Sequence, residues 1–265
     1  MDLHAIPIAR FVIVTKMRYC VFVGLILGML PVNSYGQDLS PIQLDRPDQT
    51  ECPFITPQKY IQVENGFTLE NSVGSMQSIS FPTSLWKYGV NEKFELRLIT
   101  ELATENRQTG LKPITLGFKS SLFEENGIIP KTSFIGHITS SRLGSNAFRT
   151  TYIAPSFRFT MLHTLSNKVS LAYNVGAEWN GEIPQQVYIY TLTTGVGLTE
   201  KLGCYAEIYG FVPNIDEADH RIDGGLTYLL SNDFIVDFSG GIGLINSTLK
   251  NYMSLGISYR FKTTS

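Results

Sequence analysis

From Lys59 to Phe261 the chain alternates apolar and polar side chains with a period of two. Lys168–Trp179 shows it best. Val169, Leu171, Tyr173, Val175, Ala177 and Trp179 fall on one side; Ser170, Ala172, Asn174, Gly176 and Glu178 fall on the other. A helix would spread both sets around its circumference, whereas a strand sorts them onto two faces. The same split recurs where Ile61, Val63, Phe67 and Leu69 oppose Gln62, Glu64, Gly66 and Thr68, and where Phe94, Leu96 and Leu98 oppose Glu95, Arg97 and Glu101. It returns at Ile114–Lys119, Tyr188–Leu198, Phe234–Ser239 and Met253–Phe261. Weaker segments near 76–86, 131–139, 151–161, 203–212 and 220–229 bring the expectation to about twelve strands, an even number as bacterial outer-membrane barrels require.

The turns repeat. Val90-Asn-Glu-Lys-Phe94, Leu165-Ser-Asn-Lys-Val169, Leu198-Thr-Glu-Lys-Leu202 and Leu230-Ser-Asn-Asp-Phe234 share one pattern of apolar flanks around polar residues. The last three lie 33 and 32 residues apart and the first lies 75 before the second, which predicts one hairpin per unit. Between them run longer, more varied connections at Ala103–Lys112, Thr139–Arg149, Asn180–Gln186 and Val212–His220. Short turns at one end and longer loops at the other match the periplasmic and extracellular ends of a transmembrane antiparallel up-and-down β-barrel.

A soluble β-sandwich would also alternate, with its apolar set facing a core. Two features favour lipid. Trp86, Phe94, Trp179, Tyr188, Phe234, Tyr259 and Phe261 cluster near strand ends, where aromatic rings prefer the headgroup zone. Charges sit mid-strand on the opposite face, as a wet lumen allows. A hydrophobic fraction of 43% and a mean hydropathy of +0.03 are compatible with that averaging. No apolar run beyond the N-terminus approaches the roughly 20 residues of a helical span.

Residues 1–36 read as a cleaved export signal. Arg10, Lys16 and Arg18 precede the apolar stretch Tyr19–Val32, and Ser34-Tyr-Gly36 offers small residues for cleavage after Gly36. Met17 is an alternative start. Cleavage removes Asp2, Arg10, Lys16 and Arg18, so 21 basic and 23 acidic residues become 18 and 22, and the formal net charge goes from −2 to −4. That mild acidity argues against a nucleic-acid partner, which would call for a basic patch. Residues 37–58 follow as an irregular arm carrying Pro41, Pro47, Pro53 and Pro57; the barrel occupies 59–261, and 262–265 form a tail. Cys204 falls on the lipid-facing register, which argues against a disulfide with Cys52.

By register the lumen receives Glu64, Glu95, Glu101, Glu178, Glu207, Asp223 and Asp237 together with Arg97, Lys119, Arg158 and Arg260. Strand adjacency places Glu95 and Arg97 beside Lys119, and barrel closure places Glu64 near Arg260. The charges form either a solute-selecting ring or an internal salt-bridge network filling a narrow barrel. Tyr205 and Tyr209, also inward, offer either a ladder for an aromatic or sugar ligand or packing against inward glycines such as Gly66, Gly195 and Gly225. The arm brings Asp45, Arg46, Asp48 and Glu51, which could pair with lumen charges if it enters as a plug; partial insertion is expected over a solvated periplasmic tail.

Several stretches carry a family likeness. Asp45-Arg-Pro-Asp-Gln-Thr-Glu51 followed by Tyr60-Ile-Gln-Val-Glu-Asn-Gly66 resembles the opening of a bacterial outer-membrane family catalogued under the MetA pathway of phenol degradation, or simply as transporters. Tyr88–Arg97, Asp223-Gly-Gly-Leu-Thr-Tyr228 with Asp237, and Ser258-Tyr-Arg-Phe261 resemble it too. The likeness spans nearly the whole mature chain and rests on strand and turn signatures. It implies an outer-membrane channel or uptake protein. One departure is Lys262-Thr-Thr-Ser265, which follows the terminal aromatic that the barrel-assembly machinery reads.

The expected function is passive uptake of small molecules, hydrophobic or aromatic ones among them, across the outer membrane, with lipid, solute and the barrel-assembly machinery as partners. The alternative is a structural or adhesive barrel sealed by its own charges. A lipid hydrolase ranks third. His137 and Thr139 share a face, but nothing orients the imidazole and Thr is a poor nucleophile. Neither a catalytic residue nor a cofactor or metal is assigned, because the four His are scattered and no Cys/His spacing suggests zinc.

Overall fold

The computed structural model describes residues 39–74, 77–214 and 216–263; the export-signal expectation for 1–36 lies outside them. Thirteen strands follow in order: β1 (Tyr60–Ser72), β2 (Ser78–Asn91), β3 (Phe94–Glu105), β4 (Gln108–Leu111), β5 (Thr115–Phe123), β6 (Lys131–Thr139), β7 (Ala154–Thr164), β8 (Val169–Glu178), β9 (Val187–Gly197), β10 (Leu202–Pro213), β11 (Asp219–Ser231), β12 (Phe234–Gly243) and β13 (Leu249–Lys262). Each pairs antiparallel with its neighbours, and β1 pairs with β13 from Tyr60↔Lys262 upward, closing the sheet. β4 and β5 both pair with β3, at its far and near halves, so they are one barrel strand broken at Lys112-Pro113-Ile114. The result is a closed twelve-stranded antiparallel barrel.

Pro113 explains the break, since it brings no N–H to the ladder. The stretch Ala103–Lys112, expected to be a loop, is mostly strand: β3 runs to Glu105 and turns tightly through Asn106 and Arg107 into β4. Both turn residues have positive φ, 50° and 64°, as a two-residue hairpin of matching twist requires. An Asn-Arg pair gave no glycine signal for that turn. The strand expected over 151–161 begins instead at Ala154, because Tyr152 donates its N–H to Gly181 in the neighbouring loop.

Four of the connections at one end are the repeated turns, and both ends of the barrel chain, Tyr60 and Lys262, lie there as well. The fifth, Glu124–Pro130 between β5 and β6, is longer and falls outside the repeat. By the rule for outer-membrane barrels this end is periplasmic. The ten-residue strands β8 and β12, tilted by ~40°, climb ~26 Å, matching the ~25 Å apolar band of such barrels.

The barrel is inside out relative to a soluble domain. Leu116 and its cross-strand partner Ile138 are 60% and 59% exposed on the outer surface, and Leu255 is 56% exposed. On the opposite face Glu64, Glu95 and Lys119 are wholly buried. Water would not tolerate so continuous an apolar exterior on a monomer. Leu255→Arg at mid-strand is therefore expected to destabilise the barrel by ~2–4 kcal/mol, measured by denaturant titration of folding into vesicles; an unchanged midpoint would place Leu255 away from lipid.

Candidate functional site

Twelve strands ~4.8 Å apart and tilted ~40° form a cylinder ~24 Å across between backbones. Inward side chains shrink that bore enough for a folded-back segment of chain to occupy it. Residues Ser40–Gln58 lie in this space. The arm starts at the short-turn end, where Ile42 donates its N–H to Asn232, and reaches the wall at Asn174, Arg158 and Glu207. It then returns to β1 through Thr56 and Pro57.

An irregular segment inside a barrel must find partners for its own backbone. Four prolines lower the number of donors, and wall side chains satisfy others. Glu64 accepts the N–H groups of Asp45 and Arg46, at 3.0 and 3.1 Å. Glu95 accepts that of Thr56 at 2.7 Å, Glu207 that of Gln49 at 2.8 Å, and Asn174 that of Glu51 at 2.7 Å. In the other direction Arg158 donates to the Gln49 carbonyl, Lys119 to that of Cys52 and Ser133 to that of Pro53.

The wall charges are uneven. Lys87 on β2, Arg97 on β3, Lys119 on β5 and Arg158 on β7 make one side net basic although Glu64, Glu95 and Glu178 lie among them; Glu207 on β10, Asp223 on β11 and Asp237 on β12 make the other acidic. The arm matches both. Asp45 points into the basic side and accepts from Lys119 at 2.7 and 3.0 Å, Lys87 at 2.9 Å, Arg97 at 3.1 Å and the Cys52 N–H at 3.0 Å. Glu51 pairs with Arg97 at 2.5 Å and lies 3.8 Å from Arg158. Arg46 points the other way, to Asp237 at 3.2 Å and Ser254 at 2.9 Å. Burial acts to raise the Asp45 carboxyl, but Lys119, Lys87 and Arg97 outweigh it and hold it well below the usual carboxylate range. Glu51 is likewise buried, and Arg97 with Arg158 holds it at about 2. Both arm carboxylates are anions at neutral pH.

Each inward position read from the sequence lies on the inner face. Glu64, expected near Arg260, pairs with Lys87 at 2.5 Å. Its register partners are Ser258 and Leu85, while Arg260 sits opposite Gln62 and turns to Asp233 and the Ser40 carbonyl. Lys87 also sits opposite Gln62, so register favours neither cation; side-chain direction decides, with Lys87 turned to Glu64 and Asp45 and Arg260 turned away. Glu95 and Lys119 are register partners with 3.9 Å between charges, and Glu178 lies 3.5 Å from Arg158. Tyr205 covers Gly225, where a Cβ would come within 2.5 Å of its ring; Tyr209 packs edge-on against Phe211. Gly66 makes room for Arg46 in the same way, since a Cβ there would fall 2.1 Å from the guanidinium. Asp48, the remaining arm carboxylate, lines a cavity beside Thr50. His137 buries its Nε2 without a partner, and Thr139 bonds Thr115 rather than the imidazole.

Four further sites on the wall hold the arm without having been singled out in the sequence: Lys87, Gln62, which donates to the Gln43 carbonyl, Asn174, and the pair Thr191 and Thr193, which bond the Thr50 hydroxyl. Lys87 lies past the end of the segment read as a strand over 76–86, so no register was assigned to it. Polar uncharged residues such as Asn174 were placed inward but gave no hint of their partner, which comes from an arm more than 100 residues away.

A profile of one protein family matches residues 44–261, from the arm to the last strand. The chain belongs to the family described as "Putative MetA-pathway of phenol degradation". A search of curated protein sequences returns no match. Among solved structures, this family member resembles an outer membrane channel from Pseudomonas putida F1, with a TM-score of 0.60 at 9% identity over 78% of this chain and 97% of that one. It also resembles the KdgM porin (0.51, 9%, 76% and 99%) and the NanC porin (0.52, 9%, 75% and 98%). At such identity the likeness establishes the outer-membrane barrel fold.

Removing one partner of a buried ion pair leaves the other uncompensated, at ~3–5 kcal/mol. Here the penalty can be relieved by undocking the arm. Asp45→Asn and Lys119→Met are each expected to make residues 40–58 cleavable by proteinase K while the barrel stays resistant. The double variant should be less than additive. Arm cleavage no faster than in the wild type would mean that these pairs do not hold it.

Proposed function

We propose that this protein is a passive outer-membrane channel for small molecules, hydrophobic or aromatic ones included, whose lumen is closed by a plug formed from residues 40–57. It works without catalysis or cofactor, driven by the solute gradient. It reaches the membrane through an export signal cleaved after Gly36 and through the barrel-assembly machinery.

The observation that carries this reading is what fills the lumen. A sealed structural or adhesive barrel would close itself with side chains of its own wall. In this chain the filling is a separate segment, joined to the barrel covalently only at β1, and cavities remain on both sides of it. One of about 390 Å³ at the long-loop end is lined by Thr68, Glu70, Ser80, Glu101, Glu105 and Lys112. Another of about 600 Å³ lies at the short-turn end beside Arg46, Asp48, Thr50 and Phe54. A segment held by ion pairs and hydrogen bonds can leave; a wall side chain cannot.

Deleting residues 38–57 is expected to raise single-channel conductance in planar bilayers and to speed liposome swelling with small solutes. Conductance unchanged from the intact protein would reject the plug. A closed barrel in both forms would reject the channel and leave the structural reading.

A further inference from the structure

The two carboxylates that the arm inserts into the basic side occupy a site built by the wall. Every cation that meets them comes from a strand: Lys87 from β2, Arg97 from β3, Lys119 from β5 and Arg158 from β7. Asp45 fills that site almost completely, with five hydrogen bonds on its two oxygens, four from Lys119, Lys87 and Arg97 of the wall and one from the arm's own Cys52 N–H. A carboxylate offers about four lone-pair sites in one plane, and two lysines with one guanidinium nitrogen of Arg97 meet them from the wall, the other Arg97 nitrogen being turned to Glu51. Withdrawing the arm leaves four wall cations facing three wall carboxylates, Glu64, Glu95 and Glu178. The vacated site then carries a net positive charge in a low-dielectric bore, which attracts an anion of the same shape.

We propose that this site is the channel's recognition site for a solute carboxylate, and that such a solute opens the lumen by taking the places of Glu51 and Asp45. The proposal rests on the channel reading above and names its substrate class. The exchange is a competition of like for like. Each arm carboxylate that leaves becomes hydrated and each solute carboxylate that arrives inherits the wall donors, so the cations it meets are not left bare. Glu51 is the first to be replaced, because its side chain is 14% exposed against 2% for Asp45, and Arg158 beside it is 16% exposed. Losing Glu51 frees Arg97, one of the three cations holding Asp45.

Cys52 reports the exchange. It lies next to Glu51, its backbone bonds Asp45 and Lys119, and burial pushes its thiol up to about 12, so it reacts slowly while the arm is docked. Cys204, outside on β10, is an internal control. The intact protein in vesicles is treated with N-ethylmaleimide in benzoate, in benzamide as its neutral counterpart, or in KCl of equal ionic strength, and alkylation of each cysteine is followed by peptide mass. At ten times its dissociation constant, a solute that binds only the undocked state multiplies that population about tenfold. Cys52 alkylation is expected to rise by the same factor in benzoate, not in benzamide or KCl, with Cys204 unchanged. Arg158→Gln, at the more accessible edge, should blunt the benzoate response. Equal Cys52 rates in benzoate and benzamide overturn the carboxylate assignment, as does an equal rise in KCl, which is charge screening alone. The 38–57 deletion separates the two levels. If it conducts while benzoate has no effect, the channel stands and the recognition site falls; if it does not conduct, both fall.

Discussion

Hydrocarbon offers no hydrogen-bond partner to a peptide group, and every feature of this barrel answers to that constraint. An open sheet in lipid would leave a row of bare N–H and C=O groups at each edge, each costing several kcal/mol. Pairing β1 with β13 removes both edges at once. Once the ladder closes, alternation along each strand has two environments to choose between, acyl chains outside and an enclosed bore inside. The break at Pro113 is tolerated because Lys112 still donates its N–H to Glu101 and Ile114 donates to Leu143 of the following loop.

The same rule applies inside the bore in another form. The arm has no strand or helix to satisfy its backbone, and the wall replaces that ladder with side chains. Glu64, Glu95 and Glu207, which in an open pore would face water, accept backbone N–H groups of the arm instead. Wall carboxylates thus serve as acceptors for a peptide chain, and wall cations serve as counter-ions for Asp45 and Glu51. Full satisfaction rigidifies such a network, whereas a half-satisfied one is costly. That asymmetry makes docking cooperative, because losing one ion pair weakens the neighbours that share its cation.

The arrangement has a direction. Asp45 and Glu51 face the side carrying Lys87, Arg97, Lys119 and Arg158, and Arg46 faces Asp237 on the other, where Asp48 alone among the described arm carboxylates lies by Glu207. The arm is therefore oriented by charge as well as by shape, and turning it about the barrel axis would set Asp45 and Glu51 against wall carboxylates. Wall and arm are complementary surfaces of one chain, joined through the few residues that lead into β1.

The alternation of side chains was enough to determine the barrel, its strand number, its two unlike ends and which residues turn inward, because each of these depends only on a local period and on the lengths of turns. Asp45, Arg46, Asp48 and Glu51 could be recognised as arm charges, and Lys119 and Arg97 as lumen cations, on the same local grounds. Which of them meet was decided by the tertiary structure. Lys87 and Arg260 both lie opposite Gln62, yet Lys87 turns to Glu64 while Arg260 turns to Asp233, and a side chain's direction has no signature in the strand alone. The hairpin at Asn106-Arg107 formed without glycine because β3 and β4 held it from both sides. The path of the arm depended on wall partners 18 to 220 residues distant, from Glu64 to Arg260. Contacts of that separation exist only after the sheet has closed around the space they share.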